Sequence, residues 1–114
     1  METGIISVLK QMKIDEITEA IRLNNVNITL HARKEAKEDA LKLDDIFFSV
    51  CSGQIIEDYP DDFPYPSCLI YGKTPLKNPV HSVWAYDSES RIAVLITVYR
   101  PDPELWIDWK ERKK

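Results

Sequence analysis

The chain has 114 residues, of which 44% are hydrophobic and 30% charged, enough for one modest core and too few for two independent ones. Nineteen acidic residues against fifteen basic ones leave a net charge of −4, which lacks the positive field of a dedicated nucleic-acid binder. The opening METGIISVLKQMK interrupts every apolar run with polar or charged residues, so neither a secretory segment nor a membrane span is expected, and the expected location is the cytoplasm.

Ile5, Val8, Leu9 and Met12 recur at helical spacing, and Ile17, Ala20 and Ile21 repeat the pattern behind Asp15, a candidate N-cap. Asn24, Asn25 and Asn27 end it, because asparagine competes with the helix through local side-chain bonds. Residues 1–28 therefore read as a helical extension ahead of a core over 29–114, within a single domain. Thr29 caps the next predicted helix, which runs through His31 to about Ala40. It carries Ala32, Ala36 and Ala40 on one stripe and His31, Glu35 and Asp39 on the neighbouring one. Asp44 caps a short helix bearing Ile46, Phe47 and Val50, with Gly53 as its left-handed stop.

Beyond Gly53 the period becomes strand-like, over 54–59, 67–73, 80–87 and 91–99. The first connection, residues 60–66, contains three prolines and reads as a stiff loop. In the turn at 87–90, pairing Tyr86 with Arg91 puts His81, Val83, Ile92, Val94 and Ile96 on one face, turned toward the helices. Trp84, Leu95, Thr97 and Tyr99 share the other face; a three-residue loop would exchange the faces of the last strand. Asp102 and Pro103 open a predicted terminal helix through Leu105, Trp106 and Trp109. The expected fold is α+β: N-terminal helices, a four-stranded antiparallel meander covered mainly on one side, and a short C-terminal helix.

Cys51 and Cys68 lack CxxC spacing and read as small buried apolar side chains. With His31 and His81 they show no zinc-ligand spacing, so no metal and no cofactor is expected.

Several ordered segments carry a more specific pattern: His31-Ala32; Gly53 to Pro60 as GQIIEDYP; Pro64 to Leu69 as PYPSCL; His81 to Asp87 as HSVWAYD; and Thr97 to Pro103 as TVYRPDP. Together they resemble the family known as domain of unknown function 4258, over roughly residues 15–112. That resemblance implies kinship with RelE- and BrnT-type toxin ribonucleases, which cleave RNA without a metal, and hence a small antitoxin as partner. The wider group resembles a His-Ala-x-x-Arg pattern on its first helix. Here Glu35 stands where that arginine would, and Arg33 lies two positions earlier on a different helix face.

Metal-independent RNA cleavage needs a base for the 2′-hydroxyl and cations for the charge developing on phosphorus. Histidine is the side chain whose charge ordinarily changes near neutrality, so His31 and His81 are the candidate proton carriers. Glu35, one helical turn from His31, is the candidate orienting carboxylate. Arg100, beside Tyr99, can meet a phosphate while the ring stacks a base; Lys73 and Arg91, at strand ends, are further candidate cations. Each has an ordinary structural reading: a helix-start histidine in a local network, a packed strand histidine, sheet-edge charge and a packed tyrosine. RNA is thus a partner the resemblance suggests and the net charge opposes. The competing expectation is a non-catalytic interaction module that presents Tyr59, Phe63 and Tyr65 of the proline loop to a small protein.

Overall fold

The computed structural model describes residues 14–114, so the helix expected around Ile5 to Met12 lies outside the described residues. Three helices, α1 (Ile14–Arg22), α2 (Leu30–Glu38) and α3 (Leu43–Cys51), precede most of the sheet. The strands are β1 (Val26–Ile28), β2 (Gln54–Tyr59), β3 (Ser67–Lys73), β4 (Pro79–Asp87) and β5 (Ile92–Tyr99), followed by a two-stranded hairpin of β6 (Trp106–Ile107) and β7 (Glu111–Arg112). The large sheet has the order β1-β5-β4-β3-β2. The fold is α+β, as expected, but the sheet has five strands and is mixed, since β1 runs parallel to β5. Val26 and Ile28 alternate with Asn27 as a strand requires; three residues among asparagines are too few to show it by periodicity alone.

Helix ends depart from expectation in several places. Asp15 lies within the first turn of α1 rather than capping it, and Asp44 and Asp45 lie within the first turn of α3, whose N-cap is Lys42. There they complement the helix dipole without bonding the end. α2 stops at Glu38, with Ala40 beyond it in the left-handed region at φ 53°. The expected cap at Thr29 is present: its hydroxyl accepts the Ala32 amide at 3.0 Å and donates to the Ile96 carbonyl at 3.0 Å.

Gly53 does not have a positive φ, so it is not the left-handed stop expected of it. Close approach is the reason for it. A Cβ at Gly53 would stand 2.5 Å from the backbone oxygens of both Ser49 and Tyr71, and one at Gly72 only 1.7 Å from Ser49 O. The two glycines let the backbone of α3 lie against the sheet, a contact no larger residue permits.

Helices cover one face of the sheet. Ile17 and Ala20 of α1, Ala32 and Ala36 of α2, and Ile46 and Val50 of α3 pack with Cys68, Ile70, Val80, Trp84, Leu95 and Val98 in a single core. Cys68 is buried as expected, but Cys51, at the end of α3, is exposed.

The predicted face assignment fails in two respects: at a bulge in β5, and in which face the helices cover. Near the turn Asp87 pairs with Ile92 and Trp84 with Leu95, but Val83 then pairs with Thr97, leaving Ile96 as a bulge. The extra residue reverses the side-chain alternation beyond it, so Val98 enters the helix-covered core while Thr97 and Tyr99 join His81 on the opposite face. His81 points away from the helices, not toward them, for a separate reason: β4 alternates without interruption, and the helices cover the face of Val80, Trp84 and Leu95. A second bulge in β2, between Ile55 and Glu57, sends Glu57 to that same face, opposite Leu69.

The second face is covered by the hairpin that replaces the predicted C-terminal helix. Asp102 accepts the Glu104 amide at 2.8 Å, which closes a turn instead of starting a helix. Asp108 and Trp109 take φ of 51° and 66°, and Lys113 N–H bonds Leu105 O at 3.0 Å. Tertiary contacts override the helical pattern: Trp106 is buried edge-on against His81, with ring centroids 4.4 Å apart. Arg112 donates to both Glu57 oxygens, at 2.7 and 3.1 Å.

Gly72→Ala is expected to lower stability by about 2–3 kcal/mol in urea unfolding, because the clash is with backbone and cannot be relieved by a rotamer change. A midpoint within error of wild type would contradict the α3–sheet contact described.

Candidate functional site

The free edge of β5 organises the first cluster. β1 pairs with Ala93 to Leu95, Asn25 O accepts the Ala93 amide at 3.1 Å, and Thr29 N–H reaches Leu95 O at 3.1 Å. Beyond that point β1 has ended, and the acidic stripe of α2 takes over. Glu35 Oε1 accepts Val98 N–H at 3.2 Å, and Asp39 Oδ2 accepts Arg100 N–H at 2.8 Å. Four residues of helix rise about 6.0 Å and two residues of strand about 6.6 Å, so carboxylates at i and i+4 match amides at j and j+2.

Glu35 is also where the predicted site begins. Its Oε1 accepts the Thr97 hydroxyl, and His31 Nε2 lies 3.2 Å from the same oxygen. The His31 side chain is 67% exposed and that of Glu35 25%, which leaves the imidazole open to solvent over an anchored carboxylate. Arg100 lies at the far end of α2. Its Nε donates to Asp39 O at 2.8 Å and Nη2 to Ala40 O at 3.4 Å, so the guanidinium closes the helix C-terminus.

His81 and Tyr99 form a separate pair on the hairpin-covered face. His81 is fully buried. Its Nε2 contacts Trp109 O at 2.5 Å and its Nδ1 the Tyr99 hydroxyl at 3.2 Å. A carbonyl can only accept, so the proton of the neutral ring is on Nε2, and Tyr99 donates to Nδ1. Burial pushes the His81 pKa below its ordinary 6.5, against the raising influence of the Trp109 carbonyl and Glu57. Burial likewise raises the Tyr99 pKa. Arg112 holds the Glu57 carboxyl below its usual range, and the Tyr59 hydroxyl, half-buried and donating to Glu57, is pushed up to about 12.

The remaining predicted cations are apart from both clusters. Lys73 ends β3 opposite Pro79, while Arg91 is in the β4–β5 turn beyond Asp87. Eight ladder positions separate those ends, about 26 Å along the strand. Lys73 instead lines an open groove with Lys77 and Lys110. Lys77 falls in a turn and Lys110 in a basic segment expected to be helical, so nothing in the sequence places either beside Lys73. Thr97, Asp39 and Trp109 were equally absent from the sequence candidates: their roles depend on the Ile96 bulge and the hairpin. Among the described residues no group of three or more His, Cys, Asp or Glu side chains converges to hold a metal ion, and no helix is long and apolar enough to cross a membrane.

Residues 28–100 match the family model described as Domain of unknown function (DUF4258), and the chain belongs to that family. No curated protein and no solved structure matches it.

Two outcomes follow from these clusters. Glu35→Ala strands the Val98 amide and is expected to cost about 2 kcal/mol in chemical denaturation, the scale of a bond to a charged acceptor; Glu35→Gln, which keeps an acceptor, costs less. Equal losses would contradict the edge role. For His81 the folded pKa lies below the unfolded one, so the unfolded chain takes up the proton first. Its stabilising contribution is complete above pH 6.5 and declines as pH falls below that value toward the folded pKa. His81→Gln should flatten this part of a stability–pH curve measured above the carboxylate range; an unchanged slope would contradict the assignment.

Proposed function

We propose, on the premise of membership in this family of small domains, that the protein is a toxin-like, metal-independent endoribonuclease whose proton acceptor is His31. The observation that supports this most is the exposed His31 imidazole over Glu35, a carboxylate itself fixed by Thr97 and the Val98 amide. A general base needs both access and a fixed orientation.

In this reading Glu35 holds the Nε2 side of the ring and Nδ1 takes the 2′-hydroxyl proton. The resulting alkoxide attacks the adjacent phosphorus and the bond to the 5′-oxygen breaks, leaving a 2′,3′-cyclic phosphate; the 5′-oxygen takes a proton from solvent water to become a hydroxyl, and the His31 imidazolium returns its proton to solvent. Arg100 supplies positive charge from the end of α2; two of its five N–H groups are committed to carbonyls and the others are available to a phosphate oxygen. Tyr99 and His81, bonded to one another beneath the hairpin, support the strand that carries Arg100 rather than the proton transfer. An antitoxin-like protein partner belongs to the same proposal.

A second reading is favoured by a different observation. Phe63, in the proline loop, is 95% exposed and Tyr65 is exposed beside it, an arrangement suited to anchoring a partner protein without any catalysis.

Purified protein incubated with a mixed RNA pool in EDTA is expected to generate fragments ending in a 2′,3′-cyclic phosphate. Removing a positioned base typically costs about 10²–10⁴-fold in rate, and His31→Ala should show a loss of that order with an unchanged melting curve. Fragments of equal yield from His31→Ala, or no cleavage by wild type, would contradict the ribonuclease reading and favour the interaction module.

A further inference from the structure

The groove beside Gly72 holds chemistry that the His31 cluster does not use. It is an open cavity of about 490 Å³ at the end of β3, walled by Phe48 on α3 and by Tyr71, with Lys73, Lys77 and Lys110 around it. Three lysines thus line one cavity in a chain whose net charge is −4, and among the described residues lining the groove there is no carboxylate. Like charges held around one cavity repel, and the arrangement becomes favourable when an anion enters.

Each lysine comes from a different element. Lys73 ends β3, and Lys110 belongs to the turn of the C-terminal hairpin, its Nζ 5.9 Å from the Tyr71 ring centroid. Lys77 is in the β3–β4 turn, where Thr74 accepts the Lys77 amide at 2.8 Å and the Asn78 amide at 3.2 Å. Lys77 has φ 69°, a conformation that glycine or asparagine adopts more readily than lysine. The lysines also lie near the negative end of α3, whose last turn has no basic residue, yet offsetting a dipole does not call for three cations or for Phe48 at 47% exposure on the wall.

We propose that this groove binds a segment of single-stranded nucleic acid, with phosphates on Lys73, Lys77 and Lys110 and a base stacked on Phe48. Such a site needs a cationic track beside an aromatic face, and both are present in one cavity. The inference is independent of the cleavage reading, since binding here requires nothing of His31.

The test uses fluorescence anisotropy with a short labelled oligothymidylate. It has no 2′-hydroxyl, so the cleavage chemistry cannot consume it. Wild type is expected to bind at low salt. Lys73→Gln and Lys110→Gln should each reduce the slope of log K against log salt by about 0.7. Phe48→Ala should weaken binding about fivefold or more, with no such loss on an abasic deoxyribose-phosphate strand of the same length. Lys77→Gly relieves the backbone, so it should melt no lower than wild type while binding more weakly, which separates binding from folding. The proposal is overturned if wild type does not bind, or if the groove variants bind as wild type does. An equal loss in Lys34→Gln, on the exposed face of α2, would show charge-driven association anywhere on the surface and would overturn it too.

Discussion

A β-strand at the side of a sheet must find partners for every second N–H, and the way β5 does so governs much of this molecule. β1 satisfies the strand through Leu95, and Thr29 closes the joint by bonding Leu95 and Ile96. Glu35 and Asp39 then continue the edge with side chains in place of a strand. The substitution works because one helical turn and two strand residues have nearly the same length. It also sets the position of α2, the exposure of His31 and the anchoring of Arg100. The candidate catalytic carboxylate is first of all an edge-pairing group, and its second bond, from Thr97, exists only because Ile96 bulges.

That bulge divides what the sequence reveals from what it hides. The pairing of β3 with β4 follows from alternation, and so does the shared face of Trp84 and Leu95. The Thr29 cap and the alanine stripe of α2 are equally legible. One unpaired residue reverses everything beyond it, and no local propensity at Ile96 announces it. The hairpin is hidden for another reason. Asp102-Pro103 is a true local signal, for a turn as much as for a helix, and what decides is the burial of Trp106 on His81 together with the reach of Arg112 to Glu57. Gly53 was legible as a required glycine, though its reason is close approach to Ser49 and Tyr71 rather than a left-handed turn.

The sheet consequently has two unlike faces. One is an ordinary apolar core under three helices; the other is a small aromatic layer of Tyr71, His81, Tyr99 and Trp106 under a short hairpin. The buried histidine is bonded to Trp109 and Tyr99 beneath the hairpin, while the exposed one stands open to solvent over Glu35. The acidic net charge, which opposes nucleic-acid binding by the molecule as a whole, does not describe the groove, where lysines from separate elements meet without a carboxylate. A summed charge hides such a place, because the residues that form it are far apart in sequence.

The most direct test of this account is amide hydrogen exchange at β5, followed by NMR in wild type and Glu35→Ala. If the α2 carboxylates complete the strand edge, Val98 loses its protection in the variant while Ala93, bonded by Asn25, keeps it. If Val98 exchanges as slowly in Glu35→Ala as in wild type, the edge does not depend on Glu35, and neither does the placement of His31 derived from it.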